Sequence, residues 1–301
     1  MLESTRPDRS REGQSQAHQP LPLSVWPTAQ QPAATQRAGR YLPGSTAHPA
    51  KMLPAIAHHA IQRYSRPRDL VLDPMCGVGT TLVEAIHLDR DAIGVELEAR
   101  WADLARANTA HARTHGAAGT ATVVTGDARH LPGLLDPGLV GRVALVLTSP
   151  PYGPSIHGQV TARAGRGVAK YDNTYSPDPD NLGRVTQTTL LEAMGQILAG
   201  CSVLLRSAGL VVLTARPYRH RERLVDLPGE LTKVAEAAGL VLYERNAALL
   251  VGLRGDRLVP RPSFFQLDRV RKARARGPPL QIIAHEDVLV FRKVEKPVGS
   301  R

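Results

Sequence analysis

The sequence predicts an α/β fold built on a doubly wound, mostly parallel sheet. Short apolar runs alternate with stretches of helical periodicity through most of the chain. The first run leads into a glycine-rich loop that opens a helical stretch, as in open α/β sheets that bind ligands. The last two runs have no clear helix between them, which favours antiparallel pairing. We therefore expect a Rossmann-like sheet with an antiparallel hairpin at its C-terminal edge.

The individual elements follow from length and periodicity. Runs that are apolar at nearly every position are typical of strands covered on both faces. The predicted strands are 69–74, 91–98, 121–128, 143–147, 209–215, 240–250 and 286–293. Apolar residues at helical spacing predict helices within 52–61, 80–88, 100–112, 181–205 and 228–238.

One domain with two insertions is expected. Residues 1–40 mix Ser, Gln, Pro, Ala and Arg without periodicity, and we predict that they form a disordered leader. The domain is expected to span 41–295, with a tail at 296–301. Two long segments inside it, 154–180 and 254–283, do not fit the alternation of strands and helices. Segments of this kind in compact domains are usually functional or disordered.

Charge indicates a nucleic-acid partner. The 301-residue chain has a formal net charge of +11, and part of the basic excess is concentrated in 254–283. An excess of this size favours a polyanion bound through phosphate contacts. A general bias toward arginine in the source proteome would produce the same excess.

Two further classes of protein are disfavoured. No apolar run approaches the roughly 18 residues that cross a membrane, and the polar N-terminal stretch lacks the apolar core of a secretory signal. The two cysteines, Cys76 and Cys201, are too few for a structural zinc site. We therefore expect no metal, no membrane partner and a location in the reducing cytoplasm.

A rigid segment follows the fourth predicted strand, where the chain continues into Ser149, Pro150, Pro151 and Tyr152. Consecutive prolines have fixed φ and no N–H donors, so the strand must stop there. Open α/β sheets place their ligands at this end of a strand. We call residues 149–152 the proline ledge. It offers a hydroxyl, prolyl carbonyls and an aromatic ring, which suit a flat, amine-bearing ring, although a simple turn with a surface tyrosine is the alternative.

The loop DPMCGVGTT (73–81) joins the first predicted strand to a helix. Gly77 and Gly79 allow a tight turn and close approach of a ligand, and the helix N-terminus favours an anionic group. Leu82 stands where the dinucleotide fingerprint has its third glycine, which weakens the case for a pyrophosphate ligand. A ligand with a carboxylate at this end fits better than a nicotinamide cofactor, which would also leave the proline ledge unexplained.

Acidic residues end the second and third predicted strands. Glu96 lies about 20 residues beyond the glycine loop, where an acid can bind both hydroxyls of a ribose. Asp127 is placed to accept from an exocyclic amine such as that of adenine. Asp73 is expected to orient the glycine loop. Each acid alone could equally be a solvated strand end or a cap.

Together these segments resemble the S-adenosylmethionine-dependent amino-methyltransferases that modify exocyclic nitrogens of nucleobases. DPMCGVGTT and TSPPYG carry the resemblance, and HPAKM (48–52) is similar to that family's cofactor-binding segment. The resemblance extends over roughly residues 47–295 and implies a single methyltransferase domain with S-adenosyl-L-methionine as cofactor. The cofactor-binding residues that it implies are His48, Lys51, Asp73, Pro74, Gly77, Gly79, Thr80, Thr81, Glu96 and Asp127.

The resemblance also implies that the proline ledge is catalytic. The Ser149 hydroxyl and the Pro150 carbonyl would accept the two N–H groups of the amine and localise its lone pair, with Pro151 fixing the ledge. Tyr152 would stack on a base displaced from the helix. Methyl transfer then occurs in line through positioning, without a covalent intermediate.

Serine at the first position of the ledge favours one target base. In this family aspartate there is typical of adenine-N6 enzymes, whereas Ser149 favours cytosine N4 in DNA. Guanine-N2 or adenine-N6 methylation of RNA stays as an alternative, and an inactive nucleic-acid-binding protein is a third.

Target contacts are expected from the two insertions. Only 128–142 separates the third predicted strand from the strand before the proline ledge, which leaves no room for a large recognition domain there. Tyrosines and a lysine in the first insertion could grip a displaced base, and the basic cluster in the second could contact phosphates. A solvated charge run is the alternative. The residues expected to contact nucleic acid are Lys170, Tyr171, Tyr175, Arg269, Arg271, Lys272 and Arg274.

Overall fold

The computed structural model describes residues 21–49, 51–151, 159–163, 167–171, 181–220, 223–261, 270–271, 274–275, 277 and 280–294. The described residues build one eight-stranded sheet covered by helices on both faces, together with three two-stranded hairpins.

The strands of the described residues are, in chain order, β1 (Val25–Trp26), β2 (Leu70–Asp73), β3 (Asp91–Glu96), β4 (Ala121–Thr125), β5 (Val143–Thr148), β6 (Gln159–Arg163), β7 (Gly167–Tyr171), β8 (Leu205–Ala215), β9 (Tyr218–His220), β10 (Arg223–Val225), β11 (Leu240–Leu249), β12 (Val251–Arg254), β13 (Arg257–Pro260) and β14 (His285–Lys293).

The α-helices are α1 (Ala33–Arg37), α2 (Pro54–Tyr64), α3 (Thr80–His87), α4 (Ala99–Thr114), α5 (Gln187–Leu204) and α6 (Leu227–Ala237). Proline stands in the first turn of α2 and α6, where its missing N–H costs no hydrogen bond. Side-chain oxygens cap α5 and α6 at Thr186 and Asp226. None of the helices among the described residues is long and apolar enough to cross a lipid bilayer.

The eight-stranded sheet has the order β1-β11-β14-β8-β5-β2-β3-β4. Neighbours pair in parallel from β8 to β4, whereas β14 runs antiparallel to both β8 and β11. The predicted fold class is confirmed, including the antiparallel C-terminal pair. One difference is that β1 adds outside this pair, parallel to β11.

The chain leaves β2 toward β3 and β4, and then returns to place β5 on the opposite side of β2. This reversal opens a crevice between the carboxyl ends of β2 and β5, the position at which open α/β sheets bind ligands. The glycine loop leaves β2 there, and the proline ledge leaves β5. The topology therefore brings the two main motifs of the sequence side by side.

The core lies on both faces of the sheet, because successive residues of each central strand point to opposite sides. On one face Val71 and Leu145 pack against the helices α2, α3 and α4. On the other, Leu72 and Val146 pack against α5 and α6. All four side chains are fully buried. Burial on both sides explains why these strands are apolar without alternation.

The leader is the part of the organisation that the sequence mispredicts. Residues 1–20 lie outside the described residues, but 21–40 are not disordered. Trp26 is 2% exposed and stacks near His59 and Tyr64, with ring centroids 4.3 Å and 6.3 Å away. A two-residue strand has no periodicity to detect, and one buried indole supplies enough apolar area to order a polar segment.

The same N-terminal segment is fastened to α3 through a buried carboxylate. Glu84 is 2% exposed and accepts from both Arg40 and Tyr41, each at 2.7 Å. Burial alone would raise the pKa of Glu84, but hydrogen bonds from His58, Arg40 and Tyr41 outweigh it and hold the pKa below its ordinary value. Charge pairing therefore ties the segment before α2 to the helix that follows the glycine loop.

The two insertions contain more structure than expected. Residues 159–171 include the antiparallel pair β6 and β7. The second insertion begins earlier than 254, because the antiparallel pair β12 and β13 already starts at Val251. Tight hairpins of four or five residues per strand carry too few positions for periodicity to reveal them.

Candidate functional site

A cavity of about 380 Å³ opens at the crevice between β2 and β5. Twelve residues that the sequence predicts for cofactor binding or catalysis line it: His48, Lys51, Asp73, Pro74, Gly77, Thr80, Thr81, Glu96, Asp127, Ser149, Pro150 and Pro151. Ligand pockets usually measure about 300–1,000 Å³, so the space suits one small-molecule cofactor.

Asp73 fixes the start of the glycine loop. Its carboxylate accepts from the Thr81 hydroxyl at 2.6 Å and from the Met75 amide at 3.1 Å. Burial raises the pKa of Asp73 to about 6, although the hydrogen bond from Thr81 works in the opposite direction. The carboxylate thus joins the end of β2 to the first turn of α3, which fixes the path of the loop between them.

The two glycines of the loop have different structural roles. Gly77 lines the cavity at φ +53°, and a Cβ there would lie 3.2 Å from Nε2 of His48. Gly79 does not line the cavity. It starts α3 at φ +81°, and a Cβ on it would lie 3.2 Å from that of Ala105 on α4. Its role is therefore the turn and the close packing of the two helices, whereas Gly77 leaves room beside the cavity.

Glu96 faces the glycine loop from the end of β3. Its two carboxylate oxygens accept from the amides of Gly77 at 2.8 Å and Glu98 at 3.0 Å. The side chain is 9% exposed, and burial raises its pKa to about 7 despite those two hydrogen bonds. Each carboxylate oxygen has a second lone pair, so the group can still accept hydroxyls of a ligand.

The HPAKM segment forms one side of the cavity. Lys51 donates from Nζ to the carbonyl oxygens of Thr46, at 3.2 Å, and His48. Burial, with a smaller contribution from the nearby Arg37, lowers the pKa of Lys51 to about 8. The His48 ring meets the Trp101 ring edge-on with centroids 4.7 Å apart. This side therefore combines a cation with an aromatic wall.

Asp127 reaches the cavity, but its carboxylate is already engaged. It accepts from the Arg129 amide at 2.9 Å and from Nε of the same residue at 2.7 Å. Burial works against these contacts, and they still hold the pKa of Asp127 below its ordinary value. The predicted acceptor for an adenine amine is therefore a charged group that shares its lone pairs with an arginine.

The proline ledge forms the cavity wall next to the glycine loop. Pro150 is buried, while Ser149 and Pro151 are half-buried and line the same space. Tyr152 lies outside the described residues. Because β5 neighbours β2, Ser149 and Gly77 line one cavity.

Several lining residues escaped the sequence reasoning. Trp101, one of the two tryptophans, lines the cavity five residues after Glu96, and its position in the first turn of α4 was the available signal. Asn181 donates to Oε1 of Glu98 at 2.9 Å and closes another side. Arg216 and Glu286 come from β8 and β14 regions that carry no local motif, so only the tertiary fold reveals them.

Four of the seven residues predicted to contact nucleic acid lie within the described residues. The backbones of Lys170 and Tyr171 belong to β7. Arg271 and Arg274 are exposed on the surface. Tyr175, Arg269 and Lys272 lie outside the described residues. Their role in binding stays a prediction.

No group of three or more potential metal ligands comes together in the described part of the chain. Cys76 and Cys201 are both free and buried, and burial raises the pKa of each thiol. A protonated, buried thiol is a small apolar side chain rather than a nucleophile.

Residues 2–107 match the model of a family described as DNA methylase. The first third of the chain is similar to DNA methylases. The match includes HPAKM, the glycine loop and Glu96, and it ends before the proline ledge.

Part of the chain is also similar to type II methyltransferases. It is 34% identical to M.ScaI of Streptomyces caespitosus over 84 residues, which cover 28% of this chain and 27% of that protein. It is 44% identical to M.SmaI of Serratia marcescens over 64 residues, 21% of each. The aligned part thus spans about a quarter of the curated relatives. A solved structure of TrmN from Thermus thermophilus matches 86% of this chain and 53% of that one, at 20% identity and a TM-score of 0.49.

Proposed function

We propose that the protein is an S-adenosylmethionine-dependent methyltransferase that acts on the exocyclic amine of a nucleobase in DNA, with cytosine N4 favoured over adenine N6. One observation carries the proposal. Residues of the glycine loop, Glu96 and residues 149–151 of the proline ledge, which are far apart in the chain, line a single cavity of about 380 Å³.

The residues of the cavity fit this cofactor. A buried carboxylate at Glu96 can accept the two hydroxyls of a ribose. The N-terminus of α3 and the ammonium of Lys51 supply positive charge for an amino-acid carboxylate. Trp101 and His48 offer aromatic surfaces. Gly77 has no side chain where a Cβ would narrow the space.

The cofactor supplies an electrophilic methyl group on sulfur when it is bound. The protein supplies position. Ser149 and the carbonyl of Pro150 accept the N–H groups of the target amine, which localises the lone pair of the nitrogen on the side facing the cavity. Two fixed prolyl φ angles hold these acceptors without a later conformational adjustment. In-line geometry set in this way accounts for most of the rate.

The experiment measures methyl transfer and cofactor affinity together. Ser149→Ala removes one acceptor, and loss of one hydrogen bond to a developing charge costs about 1.5–3 kcal/mol, or about 10- to 100-fold in rate. We expect kcat to fall in this range while calorimetry gives an unchanged Kd for S-adenosylmethionine. Ser202→Ala, a half-buried serine on α5, is the control and should keep full activity.

The substrate is identified by incubating the protein with a tritiated methyl donor and either unmethylated genomic DNA or total RNA. Mass spectrometry of the nucleosides then identifies the product. N4-methylcytosine in DNA supports the proposal, N6-methyladenine overturns the preference for cytosine, and methylation of RNA alone overturns DNA as substrate. Full activity of Ser149→Ala would remove the proline ledge from the mechanism.

A further inference from the structure

The hairpin formed by β12 and β13 leaves the sheet at the wall of the cavity. Leu250 lines the cavity, and Val251 begins β12 directly after it. The hairpin turns at Gly255, five residues beyond Leu250, and extended chain advances about 3.3 Å per residue. The tip can therefore reach roughly 16 Å beyond the cavity wall.

The base of this hairpin is fixed by the N-terminal segment. Arg261, just after β13, donates from Nε to the carbonyl oxygen of Ala29 and from Nη2 to that of Gln30, each at 3.1 Å. The amide of Leu253 on β12 donates to Oε1 of Gln30 at 3.3 Å. These contacts hold both strands, so the hairpin is a projection with a set direction rather than a loose loop.

Two arginines face each other beside the tip. Arg254 and Arg257 are paired across the hairpin, so their side chains leave the same face, and both are exposed. Among the described residues, including Asp256 in the turn, neither guanidinium has an ion-pair partner. Like charges placed directly opposite one another destabilise a hairpin. An anionic partner would remove this repulsion.

The remaining surface of the hairpin favours DNA over a protein as that partner. Leu253 and Leu258 lie on the opposite face and are 43% and 59% exposed. Two leucines are far too little for a protein interface, which buries about 800 Å² on each side. A two-stranded ribbon fits the major groove of duplex DNA, about 12 Å wide, and inside a groove both of its faces meet the nucleic acid. The net charge of +11 adds long-range attraction.

We propose that the β12–β13 hairpin is an arm that enters the major groove of duplex DNA beside the cavity and binds phosphates through Arg254 and Arg257. The proposal rests on the proposed function, because it takes the DNA substrate as the occupant. It assigns contacts with the DNA phosphates to a segment other than the basic cluster predicted at 269–274.

The experiment measures the salt dependence of DNA binding. A fluorescein-labelled 30-bp duplex of mixed sequence is titrated with the full chain by anisotropy between 50 and 300 mM salt. Each phosphate contact contributes about 0.9 to the slope of log K against log salt, so Arg254→Gln with Arg257→Gln should lower the slope by about 1.8. If the wild type and the variant have equal affinity at 1 M salt, this difference in slope makes the variant bind about 60-fold more weakly at 0.1 M salt.

The matched control is Arg113→Gln with Arg142→Gln. Arg113 lies in the last turn of α4 and Arg142 directly before β5, so both exposed arginines lie toward the amino ends of the parallel strands, whereas the cavity opens at the carboxyl ends. Their substitution changes the net charge equally. We expect the control to keep the wild-type slope. A second pair of variants, Arg254→Glu and Arg257→Glu together, should weaken binding further, and calorimetry with S-adenosylhomocysteine verifies that each variant is folded.

An unchanged slope in the Arg254/Arg257 variants, or an equal loss in the control, overturns the arm. The arm is also overturned if the substitutions lower the salt slope for a structured RNA hairpin but leave the slope for duplex DNA unchanged. The two proposals can fail separately. If the wild type methylates DNA and the variants keep the wild-type salt slope, only the arm is refuted. If the wild type does not methylate DNA, the proposed function is refuted.

Discussion

Substitution of Glu96 tests the stability of the protein and its binding of the cofactor by two separate measurements. The carboxylate of Glu96 is 9% exposed, and burial raises its pKa from the ordinary 4.5 to about 7. A folded-state pKa above the unfolded value means that ionisation at high pH opposes folding. At about 1.4 kcal/mol per pH unit, the ionised carboxylate destabilises the cofactor-free protein by about 3 kcal/mol above pH 7.

Glu96→Gln removes this ionisation. The amide has only one oxygen for the amides of Gly77 and Glu98, so one hydrogen bond worth about 1 kcal/mol is lost. We therefore expect the variant to be more stable than the wild type by about 2 kcal/mol at pH 8. Near pH 5 the cost of ionisation has fallen to about 1 kcal/mol, and the two proteins should be equally stable.

The assay is urea unfolding of the cofactor-free proteins at pH 8 and pH 5, with Glu236→Gln, an exposed glutamate on α6, as the control that should change little at either pH. The same variant should bind S-adenosylmethionine about 10- to 100-fold more weakly, because a charged acceptor for the ribose is gone. A Glu96→Gln protein less stable than the wild type at pH 8 would refute the reasoning about the buried charge. Unchanged cofactor affinity would refute the assignment of the ribose site.

Two more predictions concern single positions. Gly77→Ala should weaken cofactor binding at least about tenfold by calorimetry, because its Cβ would lie 3.2 Å from His48 at φ +53°. Gly116→Ala, at φ +89° with open space around it, carries similar strain of about 1 kcal/mol and should leave the affinity unchanged; equal losses would contradict the steric argument. Trp26→Ala should lower the free energy of unfolding by about 3–5 kcal/mol, against under 1 kcal/mol for the half-exposed Val25→Ala, and a loss below 1 kcal/mol for Trp26→Ala would show that the N-terminal segment contributes nothing to the core.

The central sheet was predictable because its strands carry their own signal. The runs at 69–74 and 143–147 are apolar on both faces, and they appear as β2 and β5 within two residues at each end. Burial on both sides leaves no polar position to confuse the pattern. The glycine loop and the proline ledge were equally visible, since glycine and proline restrict or free the backbone locally.

Features that depend on distant partners were not predictable. Trp26 is buried only because β11 and α2 offer a place for its ring, and the surrounding sequence has the composition of a disordered segment. The pairing of Asp127 with Arg129 depends on the short turn that follows β4. Arg216 and Glu286 reach the cavity from strands that the local sequence does not connect with it.

The parallel pairing of β1 with β11 has a consequence for self-association. Val25 and Trp26 pair with Ala247 and Ala248, near the carboxyl end of β11. A bare edge strand displays unpaired amides and carbonyls to which another molecule can add a strand. The short β1 covers this part of the β11 edge with the chain's own backbone, so a strand from another molecule cannot add at Ala247 and Ala248.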